Sequence, residues 1–205
     1  MVSRFYDRPL PTSAPNPFRC EGFSRDGAIP RRGGGFALLE TLPPFLRALL
    51  VTDGTVTKIL EAYFWEPVHV HTRRQEFEVA EQPVPWIDVD VGDRVLVREA
   101  SLCGADTGSF YASAFSVIRT ERIPEGFRQR LIDREIGIGV LIRDSGLESY
   151  REVMEVDIAA AKEESAGGLS QAQELGDILS RTYRIIIGSV PVILITESFP
   201  VCRYR

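Results

Sequence analysis

Residues 181–199 hold the pattern that most constrains the fold, two apolar strand-forming runs separated by the Gly188–Ser189 step. Val, Ile, Thr and aromatic side chains favour strands, and a glycine with a small polar residue between two such runs predicts a tight hairpin turn. Because side chains alternate along a strand, Glu197 shares one face with Ile195 and Phe199. A carboxylate in apolar company costs free energy unless it is paired or protonated. Periodicity alone does not distinguish it from a glutamate that reaches solvent at a strand end.

Length, charge and cysteine content limit the class of protein. With 205 residues the chain can bury the core of one domain. A net charge of −5 provides no broad cationic surface, so no nucleic-acid partner is predicted. No apolar run could span a bilayer and no signal segment opens the chain, so no membrane partner is predicted. Three widely spaced cysteines predict no disulfide framework and favour a reducing, cytoplasmic compartment.

The N-terminal part differs in composition from the rest. Residues 1–40 are rich in proline and glycine, which predicts an extension that is mobile or lies over the surface of a domain formed by residues 41–205. The Arg31–Arg32 pair and the glycines after it follow no predicted strand and precede no Lys-Ser/Thr pair. A phosphate-binding loop is therefore not predicted.

The sequence of this domain predicts short helices and antiparallel strands. Without alternation of strands and helices, the order of elements indicates an α+β fold around an antiparallel sheet. The segment 136–142 is apolar and of undefined type, and the polar segment 159–177 is predicted as a flexible connection with a short helix. Helices are predicted over about 44–51, 55–60 and 124–132, and strands over 67–73, 94–102, 110–118, 150–158 and the closing hairpin.

Two polar features within these strands are candidates for a binding site, an arginine on an apolar face and a pair of histidines. Arg98 shares the apolar face of its strand with Leu96 and Ala100, and because it keeps its charge it requires a carboxylate or an anionic ligand. His69 and His71 have the i, i+2 spacing of metal ligands, but no third ligand stands at a matching spacing. Two solvated imidazoles are the favoured interpretation, and no metal is predicted.

Five segments, in their order and spacing, resemble the chorismate pyruvate-lyase family, whose members convert chorismate to 4-hydroxybenzoate and pyruvate. The resemblance covers about residues 42–199. The first three segments are similar to the family's (Asn/Asp)-Gly-Thr, Arg-Glu-x-x-Leu and Thr-Glu-x-Phe motifs, and the last two fall where the family has Arg-Leu-Pro and Leu-Gly. The segments are Asp53–Glu61, Arg98–Gly104, Tyr183–Phe199, Arg122–Pro124 and Ile136–Gly137.

The resemblance implies a six-stranded antiparallel sheet with helices that flank and cover a buried ligand pocket. It also implies that Arg98 binds the ring carboxylate together with backbone groups of Val56 and Ile136. Glu197 is implied as the catalytic residue, at the hydroxyl end of the product. No metal or organic cofactor is implied, and the partner is a small cyclic acid. Tyr183 and Arg184 are further candidates for substrate binding, with the register of the hairpin left open.

The residue types agree with this chemistry. Chorismate carries two carboxylates, and a bidentate contact with Arg98 would orient one of them. Loss of pyruvate makes the ring aromatic, so the reaction depends on positioning more than on a strong nucleophile. Glu197 could donate a proton or a hydrogen bond to the departing ether oxygen.

Two alternatives remain open. The segment 135–137 and the turn at 187–189 depart from the family pattern, which would suit a related enzyme acting on another cyclic carboxylic acid. A non-catalytic ligand-binding domain of the same fold is the second alternative, because certain transcription regulators use this fold to sense effectors. No helix-turn-helix is recognisable before residue 41, which counts against that alternative.

Overall fold

The computed structural model describes residues 27–133, 137–160 and 176–205. It contains helices on one face of a large antiparallel sheet, as expected for the α+β class. The helices are α1 (Pro44–Val51), α2 (Val56–Phe64), α3 (Glu125–Ile132) and α4 (Ile138–Asp144), and the strands are β1 (Ala28–Pro30), β2 (Phe36–Leu38), β3 (Val68–Val79), β4 (Arg94–Gly104), β5 (Phe110–Ile118), β6 (Ser149–Ala160), β7 (Asp177–Ile187) and β8 (Val190–Pro200). None of these helices is long and apolar enough to cross a membrane.

The main sheet has six strands in the order β3-β4-β5-β8-β7-β6, and every neighbouring pair is antiparallel. Two three-stranded halves, β3–β5 and β6–β8, meet along a single seam between β5 and β8. The predicted α+β fold with a six-stranded antiparallel sheet is therefore confirmed. The segment of undefined type contains α4, which begins at Ile138.

The closing hairpin has the turn that its sequence predicts. Gly188 and Ser189 both have left-handed backbones, with φ of 57° and 67°, and this is the geometry of a two-residue hairpin turn that follows the twist of the strands. Beyond the turn, Val192 is an extra residue opposite Ile185 and Ile186, so the hairpin contains a β-bulge.

Two apolar clusters lie on the helix-bearing face of the sheet and one lies on the opposite face. The first cluster joins α1 and α2 to one end of the sheet, and the second joins α3 and α4 to the other end. The opposite face is covered by the connection 80–89, whose Val84, Ile87 and Val89 are buried against it. A gap remains between the first two clusters, and the candidate site occupies it.

Part of the predicted N-terminal extension is folded against the domain. Ile29 and Ala37, from the β1–β2 hairpin, are buried in the first cluster. Arg32 forms a bidentate contact with Asp157 of β6, with Nε–Oδ1 and Nη2–Oδ2 distances of 2.9 and 2.8 Å. Residues 27–40 therefore pack on the sheet, while residues 1–26 lie outside the described range.

Two predicted strand boundaries differ from the structure. β3 continues to Val79 instead of ending near residue 73, because its alternating charges pair along the sheet edge, where Arg74 contacts Glu76 and Glu78. β6 continues to Ala160. The short helix predicted within 159–177 falls largely on residues 161–175, outside the described residues.

Candidate active site

A cleft lies on the helix-bearing face of the sheet between the two helical pairs. Counted with its open mouth, it has a volume of about 610 Å³, which suits a small organic ligand. The starts of α2 and α4 form its rim, and strands β3 to β8 form its floor. Its lining residues are Gly54, Thr55, Val56, Thr57, Val70, Arg98, Ala100, Leu102, Ala114, Ser116, Gly137, Ile138, Gly139, Arg151, Tyr183, Ile185, Ile195 and Glu197.

Arg98 supplies a buried positive charge at the β4 side of the cleft. Its residue is 2% exposed, and its Nη2 donates a hydrogen bond to Oγ1 of Thr72 at 2.9 Å. Val56 lines the same cleft as the first residue of α2. The N–H groups of a first helical turn lack partners within the helix and carry partial positive charge. This side of the cleft is therefore suited to an anion.

Glu197 is held in the cleft by two donors from β7. Its Oε2 accepts a hydrogen bond from Nη2 of Arg181 at 2.7 Å, and its Oε1 accepts one from the hydroxyl of Tyr183 at 3.0 Å. Arg181 is fully buried and stands directly opposite Glu197 in the sheet register. Both oxygens of the Glu197 carboxylate therefore act as hydrogen-bond acceptors within the protein.

Arg181 also connects this carboxylate to the helical cover. Its Nη1 donates to the carbonyl oxygen of Thr52 at 2.8 Å and to that of Leu49. Both carbonyls lie at the end of α1, where helical carbonyl groups lack partners within the helix. One guanidinium thus fixes Glu197 and the loop that leads into α2.

The Tyr183 hydroxyl is a hydrogen-bond donor over a wide pH range. Burial raises the pKa of Tyr183 well above its usual value, and the negative charge of Glu197 raises it further. The positive charges of Arg181 and Arg151 oppose this rise in the pKa. Tyr183 therefore stays protonated and continues to donate to Glu197.

Arg151 is a second cation in the cleft, and the sequence analysis missed it. It lies on β6 opposite Ile185, and its Nη1 donates to the carbonyl oxygen of Asp53, next to the start of α2. Val153 follows it on the same face of the strand, before an extra residue, Met154, interrupts the register. An arginine within a predicted strand was the available signal, but regular alternation from Val156 and Ile158 would place Tyr150 inward instead. Tyr150 is in fact 57% exposed.

The starts of the two covering helices meet above the cleft. A Cβ atom on Gly139 would lie 3.0 Å from Cγ2 of Thr55, so the first turn of α4 approaches the residue before α2 as closely as a glycine permits. Thr55 directly precedes α2, and its side chain makes no capping hydrogen bond. This contact ties the two helical pairs together at the rim.

The structure brings four of the six predicted site residues together and places one elsewhere. Arg98, Val56, Tyr183 and Glu197 all line the cleft. Ile136 lies outside the described residues, although its neighbours Gly137 and Ile138 line the cleft.

Arg184 is the predicted site residue that lies elsewhere. Because it follows Tyr183, alternation directs its side chain to the opposite face of the sheet. There its Nη2 lies 2.7 Å from Oε2 of Glu152 and its Nη1 donates to the carbonyl oxygen of Trp86 at 3.0 Å. Arg184 was predicted as a site residue because the sequence did not determine the register of the closing hairpin.

The two histidines of β3 lie away from the cleft. His69 and His71 are exposed, with ring centroids 6.0 Å apart. Within the parts of the chain that the structure describes, no group of three or more His, Cys, Asp or Glu residues could hold a metal ion.

Solved structures with a similar fold include a transcriptional regulator of the GntR family from Bacillus cereus, with a TM-score of 0.51 and 12% identity over 67% of this chain and 94% of that chain. PhnF from Mycobacterium smegmatis matches with a TM-score of 0.59 and 17% identity over 76% of this chain and 67% of that chain. Its effector domain matches with a TM-score of 0.56 and 18% identity over 73% and 90% of the two chains. At this identity the similarity concerns the fold alone.

The sequence relatives are enzymes by name. A chorismate pyruvate-lyase of Mycobacterium leprae is 28% identical over 157 residues, covering 75% of this chain and 73% of the relative. A chorismate pyruvate-lyase of Mycobacterium tuberculosis H37Rv is 26% identical over 159 residues, covering 75% and 78%. A family model described as chorismate pyruvate-lyase Rv2949c-like matches residues 50–205. The chain therefore belongs to the Rv2949c-like chorismate pyruvate-lyase family.

Proposed function

We propose that this protein is a lyase that eliminates pyruvate from chorismate to give 4-hydroxybenzoate. The observation that carries the proposal is that Arg98 and Glu197, from separate halves of the sheet, line one cleft in a member of this family. Their charges match the two ends of the product, a carboxylate at one end and a hydroxyl at the other.

Arg98 holds the ring carboxylate in this proposal. A guanidinium–carboxylate contact with two parallel hydrogen bonds both binds the ring and fixes its orientation. The backbone N–H of Val56, at the positive end of α2, adds a donor from the rim. The starts of α2 and α4 then cover the bound ring and exclude water from it.

Glu197 assists the departure of the enolpyruvyl group as a hydrogen-bond acceptor. With Arg181 and Tyr183 both donating to it, the side chain is better suited to accept a hydrogen bond from the ring hydroxyl than to supply a proton. Its negative charge stabilises the positive charge that develops on the ring as the carbon–oxygen ether bond breaks. This role differs from the donation of a proton or a hydrogen bond to the ether oxygen that the residue types suggested.

The reaction balances without any added reagent. The ether bond between the ring and the enolpyruvyl oxygen breaks, and its electron pair leaves with that oxygen. The hydrogen on the ring carbon that bears the hydroxyl is lost as a proton, which makes the ring aromatic. The methylene carbon of the departing group takes up one proton and becomes the methyl group of pyruvate. Positioning of the substrate is therefore the main demand on the protein.

Incubation with chorismate tests this function directly. We expect pyruvate and 4-hydroxybenzoate in equal amounts, measured by coupled reduction of pyruvate and by chromatography. Arg98→Ala and Glu197→Gln should each lower kcat/KM by about 100-fold or more, since each removes a charge from the reacting ligand's surroundings. Glutamine at 197 keeps the shape of the side chain, which limits the effect on folding.

Matched controls and related substrates decide among the alternatives. Arg130→Gln, on the exposed side of α3, should leave turnover unchanged. Formation of neither product from chorismate would refute the proposal. Faster consumption of isochorismate or prephenate would instead assign the cleft to another cyclic acid, and binding of chorismate without its consumption would indicate a ligand-sensing role.

A further inference from the structure

The Arg151 guanidinium is the charged group of the cleft that the ring-carboxylate site does not use. Arg151 lines the cleft from β6, the edge strand farthest from β3. Its Nε is buried and has no hydrogen-bond partner among the residues that the structure describes, while its Nη1 donates to the carbonyl oxygen of Asp53. A buried N–H without a partner is costly, which points to an acceptor that a ligand would bring.

The strand order places Arg151 at the opposite end of the cleft from Arg98. Arg98 lies on β4, Glu197 on β8 and Arg151 on β6, so two strand spacings separate Glu197 from each arginine. At about 4.8 Å per spacing, the two arginine backbones are about 19 Å apart along the sheet, and both side chains extend inward from there. A ligand that reaches both guanidinium groups must therefore carry an acceptor at each end.

The charges around the cleft favour a dianion. Arg98 and Arg151 contribute positive charges to its lining, and the negative charge of Glu197 is offset by Arg181 behind it. The charge of Arg151 also acts on Tyr183, since it opposes the rise in that pKa caused by burial and by Glu197. Arg151 is thus close enough to influence the hydroxyl end of the cleft.

We propose that Arg151 binds the enolpyruvyl carboxylate of the substrate, so that the cleft holds a dicarboxylate by one arginine at each end. This inference rests on the proposed function and names the part of the substrate that the ring site leaves unbound. When the ether bond breaks, the ring carboxylate stays with Arg98 and the pyruvate carboxylate stays with Arg151. The positive charge of Arg151 also stabilises the electron pair that departs with the enolpyruvyl oxygen.

Two stable ligands test the subsite by calorimetry. The first is 4-hydroxybenzoate, which has only the ring carboxylate. The second is 3-(carboxymethoxy)-4-hydroxybenzoate, an aromatic dicarboxylate that has no enolpyruvyl group to lose. We expect the wild-type protein to bind the dicarboxylate about 10- to 100-fold more tightly, as for one hydrogen-bonded charge pair.

Arg151→Gln should abolish this preference and leave the affinity for 4-hydroxybenzoate within about twofold of wild type. Arg151→Lys should keep part of the preference, because it keeps the charge but loses the planar pair of donors. With chorismate, Arg151→Gln should raise KM and lower kcat/KM by about 10- to 100-fold. Arg130→Gln serves as the matched control and should change none of these values.

Each outcome bears on the subsite separately from the overall reaction. An Arg151→Gln protein that keeps the wild-type preference, or that loses both ligands equally, overturns the inference. A wild-type protein that consumes chorismate but binds the two ligands equally also overturns it, while the proposed function stands. A wild-type protein that prefers the dicarboxylate through Arg151 but consumes no chorismate supports the subsite and refutes the proposed function.

Discussion

Arg181 and Arg98 are both buried arginines, and they differ in what surrounds their charge. Arg181 is fully buried, and the acceptors of its guanidinium are two backbone carbonyls and the carboxylate of Glu197. Arg98 is nearly as buried, but it faces the cleft and donates to the neutral hydroxyl of Thr72. The charge of Arg181 supports the fold from behind Glu197, whereas the charge of Arg98 lines the cleft where a ligand binds.

Replacement of Arg181 should have the largest effect. Arg181→Met removes the counter-ion of a buried carboxylate, so we expect the free energy of unfolding to fall by about 3–5 kcal/mol in chemical denaturation. The double variant Arg181→Met/Glu197→Leu should recover much of this loss, because no uncompensated charge is then buried. A single variant within about 1 kcal/mol of wild type would show that Arg181 does not support the fold as described.

Replacement of Arg98 should have a smaller effect, and on binding instead of folding. Arg98→Ala should weaken the binding of 4-hydroxybenzoate by about 1.5–3 kcal/mol, as measured by calorimetry, which is the range for a hydrogen bond to a charged group. Its loss of unfolding free energy should be smaller than that of Arg181→Met, since the cleft exposes the altered position to water. Equal losses of stability in the two variants would erase the distinction between the two arginines.

Replacement of Arg184 should have the smallest effect. Its pair with Glu152 is partly exposed, with 26% and 25% of the two side chains accessible, so Arg184→Gln should change the unfolding free energy by no more than about 1 kcal/mol. Turnover should stay within about twofold of wild type, because the side chain lies on the face of the sheet away from the cleft. A large loss of kcat/KM with normal stability would show that Arg184 contributes to the active site.

Local patterns were enough to predict the six strands of the main sheet and one end of the site. The alternation in β4 placed Arg98 and Ala100 on one face, and both line the cleft. Gly188 and Ser189 predicted the closing turn because few residues other than glycine and small polar ones adopt left-handed backbones there. The roles of Arg98 and Glu197 came from the family resemblance and not from these patterns.

Two β-bulges explain why the sequence analysis did not identify Arg181 and Arg151. A regular hairpin closed at Gly188–Ser189 would pair Arg181 with Thr196, on the face away from Glu197. The extra residue Val192 shifts the register by one and places Arg181 opposite Glu197 instead.

The second bulge, at Met154, has the same effect on β6. It reverses the alternation between the buried Val156 and Arg151, so that Arg151 faces the cleft where regular alternation would place Tyr150. Single-residue bulges leave little trace in a sequence, since they depend on packing between strands that are far apart in the chain.

The seam between β5 and β8 also determines when the site can exist during synthesis. Arg98 belongs to the half of the sheet completed at residue 118, whereas Glu197 belongs to β8, the last strand of the sheet in chain order. Until residues 190–200 have left the ribosome, β5 has an open edge that could pair with other chains. Pairing of Ala114 with Glu197 closes that edge and delivers the carboxylate to the cleft in the same step. Nascent chains that stop before β8 should therefore aggregate readily and carry no partial activity.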